Sequence, residues 1–393
     1  MIVGVPKESY PGERRVALVP AVLANLAKAG LQVMVEAGAG ASAGYPDTEY
    51  ADKGAQVVQS RAEIFSAADI IVQVLCYGSN DKTGREDLPL LRNGQLLVGF
   101  LRPLGAAETL QEIAATGATS FSVELMPRTT RAQSMDALSS MGTICGYKAV
   151  VMAADTLPRI FPMLTTAAGT ITPGRVLIIG AGVAGLQAIA TARRLGAVAS
   201  AYDMRPAAKE QVQSLGGRFV ELPIEAKDAQ DARGYATAQG EEFYRKQREL
   251  LGDAVGANDV VITAAVIPGK KSPVLVTKEM VARMAPGSVI VDLAAERGGN
   301  CELTHGGEIA VEHGVTIIGQ FNLASSVPYH ASQMYARNVT AFLLNLVKDG
   351  KVQINDADEI HRETLLTRGG EVVNARVREF FGMPALAAAP KGA

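Results

Sequence analysis

The first third of the chain alternates short apolar runs with stretches of helical periodicity. A bounded apolar run predicts a buried strand, and apolar residues spaced three or four apart predict a helix. Strands joined by crossover helices form parallel sheets, so this segment is predicted to be an α/β domain of its own. Its strands are predicted at residues 2–5, 33–36, 70–74, 96–99 and 119–123, and its helices at residues 20–29 and 106–116.

A polar segment at residues 126–147, MPRTTRAQSMDALSSMGTICGY, interrupts this alternation. The spacing predicts a loop up to Asp136 and a helix from there to about residue 155. Arg128, Gln133, Asp136 and Ser139 offer guanidinium, amide, carboxylate and hydroxyl groups, which suffice to surround a nicotinamide carboxamide and its ribose. A capped helix start explains the same residues without any ligand, and composition alone favours that interpretation.

The stretch that organises the rest of the chain begins with the apolar run at residues 176–179, VLII. This run predicts a parallel strand buried on both faces, and it ends at Gly180. Gly180, Gly182 and Gly185 fit the pattern G-x-G-x-x-G. The first glycine permits a tight turn, the second lets a pyrophosphate approach the backbone, and the third lets the next helix pack closely on the strand.

A helix predicted at residues 184–195 follows the glycines and presents its N-terminal amides to phosphates. A second strand, at residues 197–202, ends in Asp203, where a βαβ unit places its ribose-binding carboxylate. This carboxylate would accept hydrogen bonds from a ribose diol and repel a 2′-phosphate. NAD(H) is therefore predicted rather than NADP(H), although the positive charge of Arg205 reduces that repulsion.

A long polar and alanine-rich connection covers residues 223–258, where a shorter one is usual. Gly234 and Tyr235 within it predict either a mobile flap with an aromatic lid or a plain surface loop. The remaining predicted helices are residues 207–215, 241–251 and 329–347, and the remaining strands are residues 218–222, 260–263, 288–292 and 315–319.

The predicted fold class is therefore α/β, with two Rossmann-like domains that each contain a mostly parallel sheet flanked by helices. Residues 141–327 are predicted to form the NAD(H)-binding domain. Residues 1–140 and 328–393 are predicted to form a composite domain, because the helix after residue 328 returns to the N-terminal segment.

Composition excludes several classes of function. The net charge of −2 over 393 residues provides no general attraction to nucleic acid. The N-terminus does not resemble a secretion signal, and no run approaches the roughly 18 apolar residues that span a bilayer. We therefore expect no nucleic-acid partner and no direct membrane insertion. Cys76, Cys145 and Cys301 are expected to be buried free thiols, and no metal is predicted, because neither cysteines nor histidines have ligand spacing.

Several strings resemble the alanine dehydrogenase and nicotinamide nucleotide transhydrogenase superfamily. Residues 4–8, GVPKE, and 12–17, GERRVA, are similar to its N-terminal signature, and residues 177–197 are similar to its glycine signature. Residues 128–136, RTTRAQSMD, and 234–236, GYA, resemble the transhydrogenase branch. The resemblance covers most of the chain.

The resemblance implies a set of NAD(H)-binding residues. It places Arg128, Gln133, Asp136, Ser139 and Tyr235 at the hydride-transfer site, where the first four hold the nicotinamide and its ribose and Tyr235 belongs to a mobile loop. The further cofactor-binding residues that it implies are Thr129, Thr130, Ser134, Met135, Gly180, Gly182, Val183, Gly185, Asp203, Met204, Arg205, Gly234, Gln247 and Val266.

The activity that the resemblance implies is direct hydride transfer from NADH on this chain to NADP+ on a separate NADP(H)-binding component. It further implies coupling to proton movement through a membrane-spanning component, a homodimer, and a cytoplasmic location at the inner face of the membrane through these partners. Transfer between two C4 atoms needs no general acid or base, so the lack of a catalytic dyad is expected.

An alanine dehydrogenase-like activity is the first alternative. It needs a cation for the substrate carboxylate and a titratable group for the imine or amine. Arg15 is present, but the family's lysine and histidine positions are occupied by Gln73 and Phe100, which carry neither charge nor proton. A second alternative is an NAD(H)-sensing subunit that never transfers hydride.

Overall fold

The computed structural model describes residues 1–224, 229–231, 234, 236–384 and 386. The chain forms two compact units. Unit 1 contains residues 1–141 and 325–393, and unit 2 contains residues 142–324.

The N-terminal segment of unit 1 alternates strands and helices as predicted, and it also contains one further strand, two further α-helices and short 3-10 helices. The strands are β1 (Ile2–Val5), β2 (Gln32–Glu36), β3 (Gln56–Val58), β4 (Ile70–Leu75), β5 (Leu96–Phe100) and β6 (Thr119–Ser122), and the helices are α1 (Leu23–Lys28), α2 (Asp47–Asp52), α3 (Arg61–Ala67) and α4 (Ala107–Ala115).

A long helix, α5, leads from unit 1 into unit 2. Unit 2 then follows the order strand, helix, strand that the glycine pattern predicts. Its helices are α5 (Ala137–Thr156), α6 (Val183–Arg194), α7 (Ala208–Ser214), α8 (Glu241–Gly256) and α9 (Lys278–Ala282), and its strands are β7 (Leu164–Thr166), β8 (Gly169–Ile171), β9 (Arg175–Ile179), β10 (Val198–Tyr202), β11 (Arg218–Phe219), β12 (Val260–Thr263), β13 (Val289–Asp292), β14 (Ile309–Glu312) and β15 (Val315–Ile318).

The chain then returns to unit 1. The sequence predicts only a helix in this segment, whereas the structure also contains strands. The elements are α10 (Pro328–Leu346), β16 (Val347–Lys348), β17 (Lys351–Val352), α11 (Glu359–Thr364), β18 (Leu365–Arg368), β19 (Glu371–Val372) and α12 (Ala375–Phe380).

Each unit is built on one large sheet. In unit 1 the strand order is β19-β18-β6-β5-β4-β1-β2-β3, and only the pairs that involve β18 are antiparallel. In unit 2 the order is β11-β10-β9-β12-β13-β15-β14, and only the pair of β14 with β15 is antiparallel. The predicted fold class, two Rossmann-like domains with mostly parallel sheets, is confirmed.

The sheet of unit 2 is buried on both faces because helices cover each side. Alternate residues of β9 enter different cores: Val176 and Ile178 lie in the core with Ala188 of α6, and Leu177 lies in the core with Leu251 of α8. These helices therefore fix the carboxyl ends of β9, β10 and β12 at one edge of the sheet, where open α/β sheets bind ligands.

Two features of unit 2 differ from the sequence prediction. Residues 158–172, for which the sequence analysis predicts no helix or strand, contain the antiparallel hairpin β7–β8, whose strand residues are all exposed. In the described part of the chain, α5 has the length and the apolar composition that would suffice to cross a membrane. Buried helices of soluble proteins satisfy the same criterion, and Ala149, Val150 and Ala153 of α5 lie in a hydrophobic core of unit 2.

Candidate functional site

A glycine turn joins β9 to α6. Gly180 has a φ of +101°, a left-handed value that favours glycine. A Cβ on Gly185 would lie 1.9 Å from the carbonyl oxygen of Gly180, so a side chain there would push α6 away from the strand. Both positions thus need glycine for the backbone geometry of the turn, as the pattern predicts.

Gly182 has no steric need for glycine within the described chain. Apart from its two chain neighbours, no described residue has an atom within 4 Å of where its Cβ would be. It precedes α6, whose first residue is Val183, and its backbone is extended. The free N–H groups of the first helical turn and the positive end of the helix dipole make this position suitable for an anion that approaches the backbone closely.

Asp203 follows β10 and faces the same turn. Its Oδ2 accepts a hydrogen bond of 2.8 Å from the backbone N–H of Ala181. The Arg205 guanidinium donates to both carboxylate oxygens, from Nε to Oδ1 at 2.9 Å and from Nη2 to Oδ2 at 2.8 Å. The Arg205 backbone N–H also donates to Oδ1 at 2.8 Å. The predicted ribose carboxylate thus lies at the glycine turn, and it already pairs with a cation.

Arg205 also reaches the long connection that precedes α8. Its Nη1 donates to the carbonyl oxygen of Gly234 at 2.7 Å, and its Nη2 donates to the carbonyl oxygen of Ala181 at 3.2 Å. Of the two loop residues singled out in the sequence, Gly234 is therefore close to Asp203, whereas Tyr235 lies outside the described residues.

Gln247 of α8 lies behind the end of β10. Its Nε2 donates to the hydroxyl of Tyr202 at 2.9 Å, and Gln247 is only 2% exposed. Burial raises the pKa of Tyr202 to about 12. The Oε1 atom of Gln247 has no partner among the described residues, and a buried acceptor without a donor is unfavourable. A ligand donor that reached this oxygen would remove that cost.

The loop after β12 is held by residues that the sequence analysis did not identify. Asn300 accepts from the N–H of Ala265 at 3.0 Å and donates to the carbonyl oxygens of Ala265, at 2.9 Å, and Pro273, at 2.8 Å. The buried carboxylate of Asp292 in turn accepts from the N–H of Asn300 at 2.8 Å. Val266, predicted to contact the cofactor, is half-buried in this loop.

The polar segment of residues 128–139 lies in unit 1. Arg128 and Gln133 are exposed. Asp136 is the N-cap of α5, since its Oδ1 accepts from the N–H of Ser139 at 2.8 Å and its Oδ2 from the Ser139 hydroxyl at 2.5 Å. The helix-start interpretation is therefore correct for this pair.

The rest of this segment is also anchored within unit 1. Asn338 of α10 donates from Nδ2 to the carbonyl oxygen of Ser134 at 2.8 Å. Thr130 and Ser134 are exposed, Thr129 is half-buried, and Met135 is buried. The backbone of the segment is thus fixed while most of its polar side chains face outward.

Arg15, the cation that an amino-acid substrate would need, is engaged within the chain. Its guanidinium donates to both carboxylate oxygens of Glu13, at 2.8 and 2.6 Å, and the two side chains are almost fully buried. Gln73 is likewise buried and donates to Asp87 at 3.0 Å, while Phe100 packs against Tyr335 with ring centroids 5.4 Å apart.

The described residues contain no group of three or more His, Cys, Asp or Glu side chains that could hold a metal ion. Cys76 and Cys301 are buried free thiols, as expected, whereas Cys145 is half-buried.

These features define a Rossmann-type protein with a glycine turn and an acidic residue at the end of the second strand. Two domain families match the chain, "Alanine dehydrogenase/PNT, N-terminal domain" over residues 4–145 and "Alanine dehydrogenase/PNT, C-terminal domain" over residues 149–375. The chain belongs to the alanine dehydrogenase/PNT family.

Within this family the chain is more similar to transhydrogenase subunits than to alanine dehydrogenases. It is 45% identical over 377 residues to a Rhodospirillum rubrum protein named as a part of NAD(P) transhydrogenase subunit alpha, and the aligned region covers 95% of this chain and 98% of that protein. Identity to alanine dehydrogenase of Bacillus subtilis is 29% over 395 residues, which cover 97% of this chain and 95% of that enzyme. The solved structure of transhydrogenase from Sinorhizobium meliloti matches with a TM-score of 0.81 and 41% sequence identity. The match covers 96% of this chain and 100% of that structure. The resemblance stated from the sequence is confirmed.

Proposed function

We propose that this chain is the NAD(H)-binding subunit of a proton-translocating NAD(P) transhydrogenase. NADH bound to it supplies a hydride to NADP+ held by a partner component, and the transfer is coupled to proton movement across a membrane. The observation that carries the proposal is the glycine turn of Gly180, Gly182 and Gly185, which leads directly to Asp203. The similarity to transhydrogenase alpha subunits supports it.

The residues present fit a bound NAD(H). Gly182 leaves open space beside the first turn of α6, which suits a diphosphate, and Asp203 offers carboxylate oxygens for a ribose. The unpartnered Oε1 of Gln247 is an acceptor for a ligand donor. We assign NAD(H) binding to residues 141–327, with Val183, Met204, Gly234, Tyr235 and Val266 as further contacts.

In hydride transfer this chain positions the nicotinamide of NADH and excludes water from it. Direct transfer between two C4 atoms requires close approach and alignment, and it needs no acid or base from the protein. In the composite domain, residues 1–140 and 328–393, the segment with Arg128, Gln133, Asp136 and Ser139 would hold the nicotinamide and its ribose. Anchoring of this segment by Asn338 supports that role, because a positioning group must be rigid.

The residues that an alanine dehydrogenase-like activity would use in unit 1 argue against that activity. Arg15 would have to leave Glu13 to bind a substrate carboxylate, and neither Gln73 nor Phe100 can exchange a proton. The same argument applies to related oxidations of amino acids.

The proposed partners are an NADP(H)-binding component, a membrane-spanning component and a second copy of this chain. The exposed hairpin β7–β8 supports a homodimer, because Met163, Leu164 and Ile171 at this hairpin are 63%, 43% and 49% exposed. Exposed apolar side chains of this kind mark contact surfaces. We propose that the chain is cytoplasmic and reaches the membrane only through its partners.

The test mixes the purified chain with an NADP(H)-binding transhydrogenase component, NADH and an NADP+ analogue, and follows hydride transfer spectroscopically. Asp136→Asn is the informative variant, because asparagine still caps a helix and the fold of α5 is retained. We expect rapid transfer by the unaltered chain and at least a tenfold loss in Asp136→Asn. Asp155→Asn, at an exposed position of the same helix, is the matched control and should transfer hydride like the unaltered chain.

Absence of transfer despite confirmed NADH binding would reject the proposal in favour of a sensor or a dehydrogenase. An assay with alanine, pyruvate and ammonia separates these two.

A further inference from the structure

We propose that Asp358 is a positioning residue for hydride transfer, which acts by holding Arg131 and thereby fixes the direction of the segment that contains Arg128 and Gln133. The inference rests on the proposed function, in which this segment holds the nicotinamide and its ribose. Asp358 follows Arg131 by 227 positions, and both residues belong to unit 1. The C-terminal part of unit 1 thus contributes to a site that the sequence assigns to residues 128–139.

The segment contains a short 3-10 helix, Thr130–Met135, whose sides have different surroundings. A 3-10 helix has three residues per turn, so residues three apart lie on the same side. Ala132 and Met135 share the side that is buried. Gln133 and Arg131 lie on the other two sides, and both are exposed. A contact that holds Arg131 therefore restricts the direction in which Gln133 points.

The side chain of Arg131 is held by a bidentate ion pair. Its Nη1 donates to Oδ2 of Asp358 at 2.7 Å, and its Nη2 donates to Oδ1 of the same carboxylate. Two parallel hydrogen bonds between a guanidinium and a carboxylate fix orientation as well as distance. The hydrogen bonds from Arg131 also lower the pKa of Asp358 to about 2, so the carboxylate is charged at neutral pH.

Asp358 is itself fixed by the helix that it begins. It is the N-cap of α11, and its Oδ1 accepts from the backbone N–H of Ile360 at 2.9 Å. The side chain of Asp358 is 15% exposed, whereas that of Arg131 is 55% exposed. The carboxylate is therefore the fixed partner, and the arginine is the partner that it orients.

A second anchor acts near the other end of the same short helix. Asn338 of α10 is 7% exposed and donates to the carbonyl oxygen of Ser134 at 2.8 Å. A single anchor would leave the short helix free to pivot, and a second anchor from a different helix restricts that movement. The two contacts together keep the segment in one orientation before any nucleotide binds, as a positioning role requires.

The experiment measures single-turnover hydride transfer from NADH on this chain to an NADP+ analogue on an NADP(H)-binding transhydrogenase component. Asp358→Asn is the informative variant, because asparagine still caps α11 but lacks the charge and the second acceptor oxygen that Arg131 uses. At saturating NADH we expect transfer to be about tenfold slower or more, because a small misalignment of the reacting atoms is costly. The Kd for NADH should remain unchanged, since the diphosphate and ribose contacts assigned to unit 2 are unaltered.

Asp356→Asn is the matched control. Asp356 forms a bidentate pair with Arg368, with both contacts at 3.0 Å, and both side chains are exposed. The substitution thus breaks a similar ion pair in the same unit without affecting Arg131, and transfer should be as fast as in the unaltered chain. Both variants should unfold at similar temperatures, because exposed ion pairs contribute little to stability.

A double-mutant cycle with Arg131→Gln tests whether Asp358 acts through Arg131. If it does, the variant that carries both substitutions transfers hydride no more slowly than the slower of the two single variants. Losses that multiply in the double variant would show two independent roles and would overturn the inference.

The outcomes distinguish this inference from the proposed function. If the unaltered chain transfers hydride and Asp358→Asn does so equally fast, the positioning role is wrong and the transhydrogenase function stands. A loss confined to the affinity for NADH, or an equal loss of transfer in Asp356→Asn, also contradicts the positioning role. If the unaltered chain binds NADH but transfers no hydride, the proposed function fails and the inference fails with it.

Discussion

Asn300 pairs with both backbone polar groups of Ala265, accepting from its N–H at 3.0 Å and donating to its carbonyl oxygen at 2.9 Å. The side chain thereby replaces a strand partner for the loop that follows β12. Because the loop lies at the carboxyl edge of the sheet, its position depends on a residue some 35 positions later in the chain.

Asn300→Ala should therefore destabilise unit 2 and weaken nucleotide binding. Removal of the amide leaves the half-buried N–H of Ala265 and two carbonyl oxygens without this partner, which costs about 2–4 kcal/mol in the free energy of unfolding. Urea unfolding and fluorescence titration with NADH measure the two effects. The matched control is Asn93→Ala, which removes an exposed asparagine. Equal stability of the two variants would contradict the role of Asn300.

The glycine turn predicts different consequences for two similar substitutions. Gly185→Ala places a methyl group 1.9 Å from the Gly180 carbonyl oxygen, so it should lower the free energy of unfolding by more than about 2 kcal/mol. The added methyl group of Gly182→Ala has no contact within 4 Å among the described residues other than its chain neighbours. Gly182→Ala should therefore change the free energy of unfolding by less than about 1 kcal/mol, and it should weaken NADH binding at least tenfold. Thermal unfolding and NADH titration separate the two results. Full NADH affinity in Gly182→Ala would argue against a diphosphate at this position.

Asp203→Asn should shift the nucleotide preference. The substitution removes the negative charge that opposes a 2′-phosphate and holds the Arg205 guanidinium. The released arginine can then bind phosphate oxygens. We expect the ratio of the Kd for NADPH to the Kd for NADH to fall at least tenfold, as measured by fluorescence titration. Asp253→Asn, at an exposed position of α8, should leave this ratio unaltered.

Glu8 predicts a pH dependence of the stability of unit 1. Its carboxylate accepts from the N–H groups of Val74 and Leu75, but burial, followed by the charge of Glu13, raises its pKa from 4.5 to about 8. Between these pH values the unfolded chain releases the proton and the folded chain keeps it. The free energy of unfolding therefore falls as the pH rises through this window, by up to about 1.4 kcal/mol per pH unit.

Glu8→Gln should remove this contribution and flatten the pH dependence between about pH 5 and pH 8. Urea unfolding at unit pH intervals provides the comparison, with the exposed Glu371→Gln as the control. A slope in Glu8→Gln as steep as that of the unaltered chain would show that another group titrates in this window.

The exposed hairpin predicts the oligomeric state. A double substitution, Leu164→Asp with Ile171→Asp, places charges on the surface that we propose to be covered in a homodimer. We expect a monomer in sedimentation experiments, whereas the unaltered chain sediments as a dimer. Glu210→Lys, which changes the charge of an exposed residue of α7, should leave the dimer intact. A monomeric unaltered chain would reject the homodimer.

Much of the fold is predictable because strong local signals coincide with tertiary structure. The run at residues 176–179 is apolar throughout, and in the structure Val176–Ile179 are fully buried. By contrast, β3 and β19, which the sequence analysis did not predict, contain only three and two residues. They are strands because a longer neighbour pairs with them, and a pattern in the sequence of the short partner does not record that pairing.

The candidate site is predictable to a similar degree. The backbone of the turn leaves no room for a side chain at Gly180 or Gly185. These two glycines lie at a fixed spacing in the sequence, so a local sequence pattern identifies them. Asn300 and Asp292 remained undetected because their partners lie far away in the sequence, and an asparagine after a strand reads as an ordinary turn residue. The bidentate pairing of Asp203 by Arg205 is local, but its geometry depends on the backbone conformation after β10.

The discontinuity of unit 1 has a consequence for synthesis on the ribosome. Ser120 of β6 pairs with Thr367 of β18, 247 residues later, whereas unit 2 is one continuous segment. Unit 2 can thus complete its sheet while the first unit still exposes the free edge of β6 to solvent. An exposed strand edge of this kind invites pairing with other nascent chains. We therefore expect chaperone dependence to be concentrated in the interval before β18 emerges.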